Sequence, residues 1–292
     1  MTDTLTTAKM VVAWDGTEPA RAALNWSLAR ATGGDLTLVQ VLDRTVSSAD
    51  YFVLESTTAR AREVLRDDAE RVSAKYPALT VHSELLSGDP ISELRALSGT
   101  DTLVVVGTHR HRGSTLRYEW SLGARLAGSA NGPVAIIPEG DSAVPFNTGH
   151  TGIVVGVDGS AASNAAIEFA AAEAERSGED LIAIHAWQEP LVWRDTTEPD
   201  ARFLETLETT HRRILDESLR IVAARYPMVR IRPSLVRGPA QSVLLDAARG
   251  AALLVVGDHG FTGLSKLLLG SVSHSIVLNI QSPMVVIPAP TA

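Results

Sequence analysis

The sequence repeats itself at a fixed distance. Tyr76-Pro77 returns as Tyr226-Pro227, Gly88 as Gly238, Gly107 as Gly257, Gly113 as Gly263, Pro133 as Pro283 and Pro138 as Pro288, every pair 150 residues apart. Gly and Pro stand where backbone geometry demands them, so one spacing held across so many of them means two copies of one folding unit. Earlier landmarks lie closer, Asp15 to Asp158 by 143 residues and Asp35 to Asp180 by 145, so the second copy carries small insertions, expected within 186–203. A chain of 292 residues also exceeds what one ordinary hydrophobic core organises. The expected division is a first domain over 1–138, a linker rich in Gly, Pro, Ser and Asn over 139–152, and a second domain over 153–292.

Within each copy, short runs rich in β-branched residues alternate with stretches whose apolar residues recur at helical spacing, the pattern of parallel strands joined by crossover helices. In the second copy strands are predicted over 153–157, 181–187, 229–235, 253–257 and 284–287, and helices over 161–176, 203–225, 241–248 and 271–279. The first copy repeats the order, with strands near 10–13, 36–42, 80–85, 103–107 and 134–137. The first and fourth strands of each copy are almost uninterrupted hydrophobic runs, as when helices cover both faces of a sheet. The predicted fold is α/β, two tandem Rossmann-like doubly wound domains, each with a five-stranded, mostly parallel sheet. Ligands of such sheets bind beyond the carboxyl ends of the strands, where the winding reverses.

Composition narrows the function. Acidic residues outnumber basic ones by 34 to 26 and no basic tail is present, which argues against nucleic acid as a partner. There is no Cys, hence no disulfide and no thiolate chemistry, in keeping with a reducing cytoplasm. The longest apolar runs fall far short of the roughly 20 residues a membrane-spanning helix needs, and residues 1–7 lack the regions of a secretory signal. The expected location is cytoplasmic, with no membrane span.

After its fourth strand the second copy reads Gly257-Asp258-His259-Gly260-Phe261-Thr262-Gly263-Leu264-Ser265-Lys266-Leu267-Leu268-Leu269-Gly270-Ser271-Val272-Ser273, a Gly-x2-Gly-x9-Gly-Ser pattern. Gly257 and Gly260 let backbone amides approach phosphate oxygens, while Gly270 and Ser271 open a helix whose N-terminus favours an anion. This loop, together with the closing strand Pro283-Met284-Val285-Val286-Ile287-Pro288, resembles the universal stress protein family, and the resemblance extends over both copies. It implies an ATP site in the second copy, with Mg²⁺ accompanying the phosphates. Position by position, it implies contacts from Gly156, Val157 and Asp158 at the end of strand one, Ala186 at the end of strand two, and Val256, Gly257, Gly260, Gly270, Ser271, Val272 and Ser273 around the loop. Asp158 resembles the family's carboxylate beside the adenosine; it is equally placed, with Ser160, to cap the following helix. Ala186 would read adenine through its backbone, and Trp187 is expected to pack rather than stack on the base.

The first copy keeps the frame and loses the loop. Asp15, Val41, Gly107 and Ser121 occupy the matching positions, but Arg110 stands opposite Gly260 and Trp120 opposite Gly270, with Glu119 adding negative charge. A weak or absent ATP site is expected there. His109, Arg110, His111, Arg112 and Arg117 make a basic cluster beside it, read as a solvated surface or an anion contact.

Catalysis has little to stand on. Neither a Gly-x4-Gly-Lys-Ser/Thr loop nor a Gly-x-Ser-x-Gly elbow occurs. His259 lies in the loop, where it would support slow hydrolysis at most or simply fix the loop. The expected function is therefore ATP binding whose occupancy modulates interactions, with the stress-response or growth-regulating role the resemblance implies. The alternatives are a slow Mg²⁺-dependent ATPase and a cyclic-AMP-binding protein on the same fold. The resemblance also implies that the apolar edge strands over 134–137 and 284–287 join the halves as a pseudo-dimer within the chain, with further homo-oligomer contacts through another surface.

Overall fold

The computed structural model describes residues 9–43, 51–109, 122–140, 152–189, 201–258, 269–280 and 282–290, with side chains for all of these except 51–55 and 201. The chain divides into two compact units, the described residues up to Gly140 in the first and those from Gly152 in the second.

The first unit runs β1 (Lys9–Ala13), α1 (Glu18–Arg30), β2 (Gly34–Leu42), α2 (Tyr51–Lys75), β3 (Leu79–Ser87), α3 (Pro90–Leu97), β4 (Thr102–Thr108), α4 (Leu122–Ala127) and β5 (Val134–Pro138). Its strands lie in the order β3-β2-β1-β4-β5. The second unit repeats this as β6 (Ile153–Gly156), α5 (Ala161–Ser177), β7 (Leu181–Trp187), α6 (Ala201–Arg225), β8 (Ile231–Arg237), α7 (Ala240–Ala248), β9 (Leu253–Gly257), α8 (Ser271–Leu278) and β10 (Met284–Ile287), in the order β8-β7-β6-β9-β10. Every described pairing within each unit is parallel, so the expectation of a mostly parallel sheet is met in full. β1 pairs with both β2 and β4, and β6 with both β7 and β9; these are the points where the winding reverses.

Burial explains the composition of the strands. β4, β5, β9 and β10 are buried almost end to end and are rich in Val, Leu and Ile, the composition of strands covered on both faces. β8 is half exposed and carries Pro233, tolerated because a strand paired on one side only can spare a ladder donor. In the second unit α5 touches α6 and α7 touches α8. His185 and Trp187 of β7 meet α6, whereas Ile184 and Ala186 line a cleft with Leu244 of α7, so the two helix pairs cover opposite faces. α5 packs closely because Ala162, Ala166, Ala170 and Ala174 recur every four residues and are buried with Ile167 and Phe169. Ser160 caps its start, and Gly178, at φ 71°, closes its end in the left-handed conformation that glycine supplies without a Cβ clash.

Several predicted boundaries shift by one or two residues. β8 begins at Ile231 rather than 229, because the turn that follows α6 extends to Val229, whose amide bonds Tyr226 O at 3.1 Å. α6 begins at Ala201, two residues before the expected start. β6 ends at Gly156, although the Val157 amide still reaches Ile184 O at 2.8 Å.

Candidate functional site

At the carboxyl ends of β6 and β9, the helices α5 and α8 both begin. Their first turns are built differently. At α5, three backbone-to-side-chain bonds close a ring: the Ser160 amide donates to Asp158 Oδ1 (2.8 Å), the Asp158 amide to Ser163 Oγ (3.1 Å), and the Ser163 amide to Ser160 Oγ (3.1 Å). Ser160 is thus the cap, and Asp158 holds the turn before it through Oδ1.

At α8 the N-cap is Gly270, which has no side chain to give. Its own amide donates to Asp258 O (2.7 Å), and its carbonyl accepts the first intrahelical bond, from His274 (2.8 Å). The amides of Ser271, Val272 and Ser273 precede that bond and by helix geometry have no partner within the helix. Ser273 Oγ donates to Gly257 O (2.6 Å), tying the first turn of α8 to the end of β9. Asp258 Oδ1 accepts from the Ala289 amide at 3.0 Å, anchoring the segment after β10. The α8 amides and the positive end of its dipole are therefore held at a fixed place beside the strand ends.

Between these two helix starts lies a cleft of about 190 Å³. Gly156, Val157, Asp158, Ala186, Val256, Gly257, Gly270, Ser271, Val272 and Ser273, all named from the sequence, line it. Gly260 and His259 lie outside the described residues. Ser160, read from the sequence as a helix cap, also lines the cleft, as do Ser163, Ile184, Ala240 and Leu244, which were not named. The Gly159-Ser160 step before an apolar helix was a readable signal for the first of these; Leu244 reaches the cleft from α7 and no local pattern marks it.

Gly257 has a further reason for being glycine. A Cβ there would come 2.8 Å from Ala162 Cβ and 3.0 Å from Ala162 C, so its bareness admits α5. Gly107 in the first unit does the same for α1, where a Cβ would overlap the Pro19 carbonyl. Close helix approach, as well as any close ligand approach, holds both positions.

The first unit has its own cleft, about 310 Å³, lined by Asp15, Val41 and Gly107 together with Trp14, Thr17, Val39, Leu94, His109 and Leu122. Asp15 Oδ1 takes both the Thr17 amide (3.0 Å) and the Thr17 hydroxyl (2.6 Å), so Thr17 turns inward and leaves α1 without a side-chain cap. His109 Nδ1 meets Glu139 Oε2 at 2.7 Å, so this member of the basic cluster is paired with a carboxylate. Ser121, Glu119, Trp120 and the remaining cluster residues Arg110, His111, Arg112 and Arg117 lie outside the described residues. Trp187 stacks on His211 of α6, with ring centroids 5.1 Å apart, and does not line the second cleft, in line with its expected packing role. Among the described residues no group of His, Asp and Glu is arranged to hold a metal ion, and no helix is long and apolar enough to cross a membrane.

A parallel sheet wound in both directions from its central strands, with helices starting at the winding reversal, defines a Rossmann-like class of α/β protein. The family follows from comparison: the Universal stress protein family model matches residues 6–138 and again 151–288, and the chain belongs to that family as a tandem member. A universal stress protein of Mycobacterium tuberculosis strain H37Rv is 30% identical over 96% of this chain and 95% of its own length. One of Mycolicibacterium smegmatis is 31% identical over 98% of this chain and 99% of its own. Among solved structures, a universal stress protein from Archaeoglobus fulgidus superposes with a TM-score of 0.70 at 18% identity, covering 98% of this chain and 97% of that one, a likeness of fold.

Proposed function

We propose that the chain is a cytoplasmic ATP-binding protein whose second unit carries the nucleotide and whose occupancy alters a surface recognised by other proteins, in a stress-response or growth-regulating role. One observation carries this reading: the amides of Ser271, Val272 and Ser273 open α8 into the same cleft that holds Asp158 and the Ala186 backbone. A polyphosphate suits the α8 end, where its negative charge meets free donors and the helix dipole. A ribose or adenine suits the Asp158 end, where a carboxylate oxygen accepts from hydroxyl or amino groups. Mg²⁺ would arrive with the phosphates, since Asp158 is the one carboxylate among the described residues lining the cleft.

The reading is binding rather than turnover, because the described part of the cleft offers no paired acid and base. Native mass spectrometry of protein purified without added nucleotide, followed by calorimetric titration with ATP, tests it. A retained adenine nucleotide or saturable ATP binding is expected. Binding of cyclic AMP in preference to ATP, or Mg²⁺-dependent release of ADP at each turnover, would replace it with another reading.

A further inference from the structure

On the face of β7 opposite the cleft, two imidazoles stand in line. His185 Nδ1 lies 2.7 Å from Val157 O, and His185 Nε2 lies 2.8 Å from His211 Nδ1 on α6. A carbonyl oxygen only accepts, so His185 carries its proton on Nδ1 and donates to Val157. Its Nε2 then holds a lone pair and accepts the Nδ1 proton of His211. The chain of bonds runs from α6 through two rings to the carbonyl of Val157, one residue before Asp158.

We propose that His185 and His211 form a proton-sensitive latch that positions the Val157-Asp158 backbone and so couples ligand affinity at the adjacent cleft to pH. The inference rests on the nucleotide reading only for its ligand; the latch itself is a property of the residues. The neutral pair makes both bonds. A first proton leaves one proton between His185 Nε2 and His211 Nδ1 and keeps their bond; a second makes both facing nitrogens donors, and the bond between the rings is lost. α6 then no longer braces the ring that holds Val157.

Burial, first, and the neighbouring His185, second, push His211 below the ordinary imidazole range. Of the charged groups on the elements around it, Glu208 of α6 bonds Arg212 (3.3 Å), Arg225 bonds Glu168 of α5 (3.3 Å), Arg237 of β8 pairs with Glu189, and Asp158 after β6 holds Ser160. Glu205 of α6 lines the open groove beside Trp187 and Arg237. A group held neutral in the fold lends stability at pH above its ordinary value, and that contribution is lost as pH falls through the lowered one.

The first unit provides an internal contrast. There Gln40, one residue past the last β1–β2 register pair Ala13–Val39, stands in the place of His185, and the end of β1 is tied to α2 by the Trp14 indole donating to Asp68 Oδ2 at 2.9 Å. That tie contains no imidazole.

The test compares the full-length chain with His211→Asn, whose amide NH₂ keeps a donor toward His185 without titrating, and His211→Phe, which keeps the stack on Trp187 and removes the donor. Amide exchange at Val157 and Asp158 and imidazole ¹³C shifts are followed from about pH 7.5 to 5.5, the range in which imidazole changes charge. In the wild type, exchange should rise as the coupled rings protonate; His211→Asn should stay flat, and His211→Phe should exchange fast throughout. ATP affinity relative to His211→Asn, a ratio in which ATP's own titration cancels, should fall by up to about tenfold per pH unit, the ceiling for one linked proton. Independent titration of the two rings, or equal pH profiles of amide exchange in wild type and His211→Asn, would overturn the latch. Absence of ATP binding at the upper pH with the exchange pattern intact would overturn the nucleotide reading and leave the latch standing.

Discussion

Gly257 and Gly107 show how one residue serves packing and binding together. Both lie at the carboxyl end of a fourth strand, and both face the start of the helix that follows the first strand. Replacing Gly257 with Ala sets a methyl 2.8 Å from Ala162 Cβ, an overlap a small shift of α5 relieves, at about 1–3 kcal/mol. Replacing Gly107 with Ala drives the methyl much deeper, into the Pro19 carbonyl, so the larger loss is expected there. Urea unfolding of the two variants checks the order; equal stability in both would reject the packing account. The same residues mark the limit of local reading. A strand-end glycine before a helix was visible in the sequence, but the nearness of Ala162 or Pro19 is a tertiary fact. The His185–His211 bond was illegible for a similar reason: its partners lie 26 residues apart and meet only when α6 folds onto β7.

Among the elements, α8 carries the most functional weight for its length. Gly270 caps it with φ −56° and ψ 152°, an extended backbone that any residue adopts. Gly270→Ala should therefore leave thermal stability near that of the wild type and weaken ATP binding, because the added methyl stands where phosphate oxygens would approach. Lost affinity with an unchanged melting temperature is the expected result; unchanged affinity would remove the phosphate from this helix. Helix and strand existence was legible from periodicity, since burial on both sheet faces writes itself into continuous Val, Leu and Ile runs. Ends were less so. β8 starts late because a turn closed by Val229 and Tyr226 outlasts the point where β-branched residues resume.

At the scale of the molecule, the repeat was the most legible feature, because turns and strand ends are where residue identity is least free. The sheet of each unit followed from the alternation of β-branched and helical runs, and the ten residues that meet at one cleft of the second unit were named from the family resemblance. The two clefts are not equivalent in chemistry. Asp15 and Asp158 each hold their turn through Oδ1, but in the first unit His109 meets Glu139, and Arg110 and Trp120 stand in the sequence where the second has Gly260 and Gly270. Calorimetry should accordingly count about one ATP per chain, as expected when only one of two repeated sites keeps its phosphate-binding glycines. Two equal sites would contradict this assignment.

The bare glycine at the end of β4 has an evolutionary corollary. Because α1 sits too close for any side chain there, drift after duplication cannot plug the first cleft from that position without disturbing the helix. Selection for folding alone preserves a hollow at the strand ends, whether or not anything occupies it. A duplicated unit of this kind carries forward a vacant binding geometry, open to recruitment by a different small molecule through changes in its rim.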